Sequence, residues 1–141
     1  MKAFSVKQVL WSEAQRRLRA VREAVFMTEQ GVPAELEWDG LDPVCVHFLA
    51  FGAPGEAIGT ARFTPDGHVG RMAVLAPWRG RGVGRSLMEA ALAEARLRGM
   101  RSLVLNAQTH AQGFYLRFGF TPEGGEFLDA GIPHVRMTRR L

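Results

Sequence analysis

One cysteine, Cys45, stands among the 141 residues. That excludes an internal disulfide framework, and the four histidines (His47, His68, His110, His134) show neither HExxH nor CxxC spacing, so no metal site is expected. No apolar run reaches the roughly 18 residues a membrane helix needs, and no basic segment followed by an apolar stretch opens the chain. These absences lead to the expectation of a soluble, cytoplasmic protein with no membrane partner. Basic side chains are missing from one region too. Between Glu23 and Ala61 there is no lysine or arginine, while Glu23, Glu29, Glu35, Glu37, Asp39, Asp42 and Glu56 all fall there. The formal charge of +4 and the isoelectric point near 10.2 raise nucleic acid as a partner. The distribution argues against it, because the arginines gather around glycines and helix ends and form no basic stripe interleaved with aromatics.

What is present fits one domain, residues 1–141, with enough apolar content (47 %) for a single core. "FSVKQV" reads as a short strand. "SEAQRRLRAVREAVF" opens with Ser12 and carries Gln15 three residues on, the spacing of a capping box, and Ala14, Leu18, Val21 and Val25 form an apolar stripe. An amphipathic helix is expected, ending before Gly31. After an acidic loop, "VCVHFLAF", "AIGTARF" and "HVGRMAVL" read as an antiparallel meander with turns at "GAPGE" and "TPDG". "GRSLMEAALAEARLR" places Leu87, Met88, Ala91, Leu92 and Ala95 on one face and stops at Gly99. "SLVLNA" is a buried strand, "HAQGFYLRF" a short helix closed by Gly119, and "GEFL" with "PHVRMTRRL" a final hairpin. The order is β-α-β-β-β-α-β-α-β-β: an α+β fold with a mixed, mostly antiparallel sheet flanked by helices.

The stretch "RGRGVG", residues 79–84, lies between the third meander strand and the long helix. A Walker loop needs Gly-Lys-Ser/Thr after four spacer residues, and here the lysine is replaced and the first position is Arg79. A dinucleotide fingerprint has a different glycine spacing, and no acidic residue ends a strand about 20 residues on. The general physics survives both failures. Glycines let the backbone approach a ligand, and free N–H groups at the positive end of a helix make an anion site, with Arg79, Arg81 and Arg85 adding formal charge.

Arg79-Gly80-Arg81-Gly82-Val83-Gly84 resembles the Arg/Gln-x-x-Gly-x-Gly/Ala motif of the GNAT superfamily of acyl-CoA N-acyltransferases. "AQGFYLRFGF" is similar to that family's second motif, and "VFMTEQGVPAELEWD", "NAQTHAQGFYLRFGF" and "DAGIPHVRM" together resemble its small bacterial ElaA/YjcF-like group. The resemblance implies a GNAT-like fold over nearly the whole chain and an enzyme that uses acetyl-CoA and releases coenzyme A. It implies that backbone N–H groups of Arg81, Gly82, Val83, Gly84 and Arg85 hold the pyrophosphate, and that main-chain groups of Met72, Ala73 and Val74 lie along the pantetheine arm and thioester. Asn106, the only asparagine, would face the pantetheine amides. Tyr115, the only tyrosine beside nine phenylalanines, takes the family's general-acid role toward the departing thiolate. The implied family bulge in the strand before the loop is not derivable from these residues.

The base is left open among Glu29, Glu35 and His134, because "GRMAVL" offers no carboxylate. Cys45, in "VCVHF", reads as a small buried hydrophobe and not as an acyl carrier. The expected reaction is direct attack by a primary amine on acetyl-CoA in a ternary complex. Its alternative is a non-catalytic acyl-CoA sensor on the same fold. The acidic stretch, densest in "TEQGVPAELEWDG", leads to the expectation of a negative field that draws in a small cationic amine, with Trp38 able to offer a ring face. The partners expected are that small-molecule amine and, in assembly, a second copy as a homodimer.

Overall fold

The computed structural model describes residues 3–53 and 55–141. Strand β1 (Phe4–Val9) leads directly into helix α1 (Trp11–Arg22), which continues as a π-helical segment over Glu23–Glu29. Leu18, Val21 and Val25 are buried, as the stripe requires. The capping box does not form. Leu10, in extended conformation, is the N-cap and no side chain caps the helix, because α1 starts one residue early and takes Ser12 into its first turn. The acidic segment contains a short helix, α2 (Ala34–Glu37), where the sequence suggested only loop.

β2 (Val46–Gly52), β3 (Ala57–Phe63) and β4 (Val69–Val74) form the expected meander, and β1 adds to its outer edge, giving an antiparallel sheet in the order β1-β2-β3-β4. β2 begins two residues later than its apolar run suggests, because Pro43 sits early in a 3₁₀ turn over Asp42–Val44. Cys45 is therefore left outside the strand, half-buried, its thiol pushed up by burial. The turn "GAPGE" closes with the Gly55 amide donating to the Gly52 carbonyl, while its Pro54 lies outside the described residues.

Helix α3 (Val83–Leu97) buries Leu87, Met88, Ala91, Leu92 and Ala95 against Phe48, Ile58, Ala61 and Phe63, forming the main core. A buried leucine or phenylalanine contributes about 1.5–3 kcal/mol, so this face holds α3 to the sheet. Then come β5 (Ser102–Gln108), α4 (Gln112–Leu116), β6 (Thr121–Pro122), β7 (Phe127–Asp129) and β8 (Ile132–Arg140). β6 is an addition to the expected order. The second sheet runs β5-β8-β6, with β7 pairing further along β8, again antiparallel.

The two sheets meet at a parallel bridge, His68 to Val104, where the Val104 amide donates to the Gly67 carbonyl at 3.0 Å. Gly67 has φ +89°, and a Cβ there would sit 2.9 Å from the Ser102 carbonyl oxygen, so only glycine permits this approach. Past the bridge, β4 and β5 run on in separate sheets and leave a cleft between them. Among the described residues no helix is long and apolar enough to cross a membrane.

Candidate functional site

The cleft starts from an irregularity in β4. Thr60 opposes Ala73 but Arg62 opposes Gly70, so Arg71 and Met72 together face Ala61 as a β-bulge. Arg71 is left-handed at φ +48°, a conformation that costs a non-glycine residue on the order of 1 kcal/mol. The Thr60 hydroxyl donates to the Arg71 carbonyl at 2.9 Å and helps hold it there. Beyond the bulge, Met72, Ala73 and Val74 form one side of a cavity of about 520 Å³. Gly84, Asn106, Phe114, Tyr115 and His134 line it as well.

At one end stands the glycine loop. Gly80 and Gly82 are left-handed, at φ +75° and +86°, and a side chain on either would meet no atom within 4 Å, so glycine serves backbone conformation there. Gly82 is the N-cap of α3, and no side chain caps the helix. The amides of Val83, Gly84 and Arg85 are too early in α3 for an intrahelical acceptor, and nothing else among the described residues takes their place. The arginines are occupied. Arg79 donates to the Val74 carbonyl and forks onto Glu29 at 2.7 and 3.0 Å, Arg81 lies 5.1 Å from the Trp78 ring centre, and Arg85 pairs with Glu89. The open anion-binding groups are main-chain ones.

Tyr115 is half-buried on α4, its ring edge-on to Phe114 and Phe120, and burial pushes its phenol up to about 12. Its hydroxyl has no hydrogen-bond partner among the described residues. His134 sits on β8 opposite Gln108, its ring stacked on Phe127. The imidazole Nδ1 lies 2.6 Å from the Ile132 carbonyl oxygen, an acceptor, so Nδ1 carries the hydrogen and Nε2 keeps the basic lone pair. Gln108 donates from Nε2 to Gln30 Oε1 at 2.8 Å and accepts from His110 Nε2 at 2.7 Å. This hydrogen-bonded chain links the end of the α1 segment to the end of β5, and all three side chains line the cavity.

The acidic segment forms the opposite wall, and here the expectation from sequence fails. Arg22 donates to Glu37 and to Asp42 at 2.7 Å each; Arg62 reaches Asp42 at 2.8 Å and Asp39 at 2.5 Å. Arg71 lies 3.3 Å from Glu37 and 3.2 Å from Asp39. Its Nε, though near Glu37, is misaligned and stays buried without a hydrogen bond. Three carboxylates thus face three guanidiniums. Burial raises Asp39 and Asp42, but hydrogen bonds from the arginines outweigh it and hold both below the usual range; at Glu37 burial wins and the carboxyl is raised. Trp38 is unavailable to a ligand cation, because the Arg19 and Arg22 guanidiniums each lie 4.9 Å from its ring centre. The densest acids of the segment are neutralised from within the chain, so the field inferred from their run loses its source.

Of the residues singled out from sequence, Met72, Ala73, Val74, Arg79, Gly84, Asn106, Tyr115 and His134 line one cavity. Arg81, Gly82, Val83 and Arg85 flank it at the α3 end. Glu29 is tied to Arg79, and Glu35 is exposed on α2, outside the lining. Asn106 lies within β5, which runs one residue past the expected "SLVLNA" to Gln108. Glu37, Arg71, Gln30, Gln108, His68 and His110 line the cavity without having been foreseen. Only Gln108, two residues beyond Asn106 on the same strand face, carried a signal for it. No group of three or more His, Cys, Asp or Glu among the described residues could hold a metal ion.

Residues 9–141 match the family described as an acetyltransferase (GNAT) domain. A protein of Bacillus subtilis, named as the uncharacterized N-acetyltransferase YjcF, is 40% identical over 84% of this chain and 87% of its own length. The crystal structure of Escherichia coli ElaA superposes with a TM-score of 0.85 at 30% identity, covering 96% of this chain and 99% of that one. A Pseudomonas aeruginosa acyl-CoA N-acyltransferase gives 0.83 at 32% identity, covering 96% and 97%.

Proposed function

The chain belongs to the GNAT acetyltransferase family, and from that premise we propose that it moves an acetyl group from acetyl-CoA to a primary amine by direct attack in a ternary complex. The observation that carries this reading is the convergence, in one cleft, of open α3 amides, the bulged edge of β4, a free tyrosine hydroxyl and an imidazole with a free basic nitrogen.

Acetyl-CoA supplies an activated thioester and leaves as coenzyme A. Its pyrophosphate is held by the backbone from Arg81 to Arg85, where unpaired N–H donors and the helix dipole satisfy phosphate oxygens without ordering long side chains. Main-chain groups of Met72, Ala73 and Val74, turned toward the cleft by the bulge, run beside the pantetheine arm. An N–H there stabilises the charge that develops on the thioester oxygen. Asn106 faces the pantetheine amides. Tyr115 keeps its proton throughout the neutral range and donates it as a hydrogen bond that strengthens as charge collects on the departing sulfur. His134, with Nε2 free, takes the proton from the attacking amine. Glu29 acts only by holding Arg79, and Glu35 stands too far outside the lining to serve as base.

The test is free-thiol release from acetyl-CoA across a panel of primary amines. Tyr115→Phe keeps the ring and loses the proton, so kcat falls roughly 10²–10⁴-fold with acetyl-CoA affinity unchanged. Equal kcat in variant and wild type would overturn the role of Tyr115, and no release with any amine would overturn the transfer reading.

A further inference from the structure

The cavity states which amines it accepts. Its lining carries few formal charges, and they are almost all cancelled in place: Glu37 against Arg22 and Arg71, Arg79 against Glu29. Asp129, the last residue of β7, is the one lining carboxylate without an ion pair among the described residues, and it is exposed. Further polar lining groups are hydrogen-bonding ones: the neutral amides of Gln30, Gln108 and Asn106, and His110, held in the chain with the two glutamines. His68 is pushed toward its neutral form by burial. Phe26, Val32, Leu36 and Ile132 supply the rest of the acceptor side.

Apart from Asp129, such a lining gives a second charge on the acceptor nothing to pair with. Taking an unpaired ammonium or carboxylate out of water costs far more than taking out a methyl or a hydroxyl, and neutral amides recover only part of it. The same environment favours the reacting nitrogen in its neutral, nucleophilic form, because desolvation disfavours ammonium. Resting on the transfer reading above, we propose that the acceptor is a primary amine on an otherwise uncharged, largely apolar body, and that polyamines and amino acids are excluded. The paired acids of the α2 wall draw in no cations, so added salt leaves the acceptor KM unchanged.

Four amines with four carbons each test this: butylamine, 4-amino-1-butanol, 1,4-diaminobutane and 4-aminobutanoate. Thiol release should give kcat/KM at least about tenfold higher for the first two than for the last two, a difference of about 1.4 kcal/mol. Calorimetric binding of each amine to the coenzyme A-saturated protein should give the same order, and Asp129→Asn should leave that order intact. The proposal is overturned if either charged amine matches butylamine, if Asp129→Asn selectively weakens the diamine to create the preference, or if none of the four binds. Should acetyl-CoA bind while no amine releases thiol, the transfer reading fails, and the binding order alone decides the acceptor class: neutral first supports it, a flat or reversed order overturns it.

Discussion

On the α2 side of the cleft, Arg22, Arg62 and Arg71 are spent against Glu37, Asp39 and Asp42, whereas at the start of α3 the amides of Val83, Gly84 and Arg85 have no partner among the described residues. The α2 wall has the sequence of a charged surface and is a neutral, cross-linked wall in space. The α3 start has the sequence of an arginine loop and is an opening lined with main-chain donors. The unpaired group, and not the count of charges, marks the candidate site.

The sharpest way to break this contrast is to cut the wall. Arg22→Leu leaves Glu37 and Asp42 buried beside a lost partner, and removing one member of a buried ionic set typically costs ~3–5 kcal/mol, read by urea unfolding. A loss under about 1 kcal/mol would mean the pairs are effectively solvated. The wall should also set acid sensitivity. Asp39 and Asp42 titrate lower in the folded chain than unfolded, so the stability they give is full above the ordinary aspartate value near 3.9 and drains away as pH falls through their lowered folded values. Glu37, raised by burial, works the other way and gains as pH falls through its folded value. Thermal melts should therefore hold steady from pH 7 to about 5 and drop below about 4, and Asp42→Asn should flatten that drop.

At the other region, Gly82→Asp places a carboxylate beside the open amides, where it competes with a phosphate. Acetyl-CoA should bind at least about tenfold more weakly, ~1.4 kcal/mol by calorimetry on folded variant. Unchanged affinity would reduce the loop to a connector. The smallest effect is expected between the two regions. Glu29→Gln cuts the Arg79 fork, an ion pair with both partners well exposed, and such pairs are worth at most about 1 kcal/mol. A loss rivalling that of Arg22→Leu would erase the distinction between buried and surface pairing.

Periodicity carried much of the fold in this sequence. "AIGTARF" matches β3 residue for residue, and the five apolar positions on α3 are all buried, because alternation and helical spacing are local signals that burial reads directly. The site was half legible: the glycine loop and the lone tyrosine stand out in the chain. The wall did not, because its ion pairs join residues 15 to 34 positions apart. Arg22 and Arg62 lie just outside the two ends of the stretch without basic residues, so the run that looked unbalanced is closed by the residues that bound it. The β4 bulge left no mark either, since Arg71 adopts a backbone conformation its side chain does not favour.

Gly67 offers no side chain to any reaction, yet it is where the two sheets are stitched together. In a screen that scores only activity, a substitution there would be indistinguishable from a lesion among the reacting groups: both sheets could persist while the wedge between them changed its angle. Tolerance to mutation in this fold is thus mapped by where strands must touch as much as by where chemistry happens, and Gly67 is a position on that map with no functional group at all.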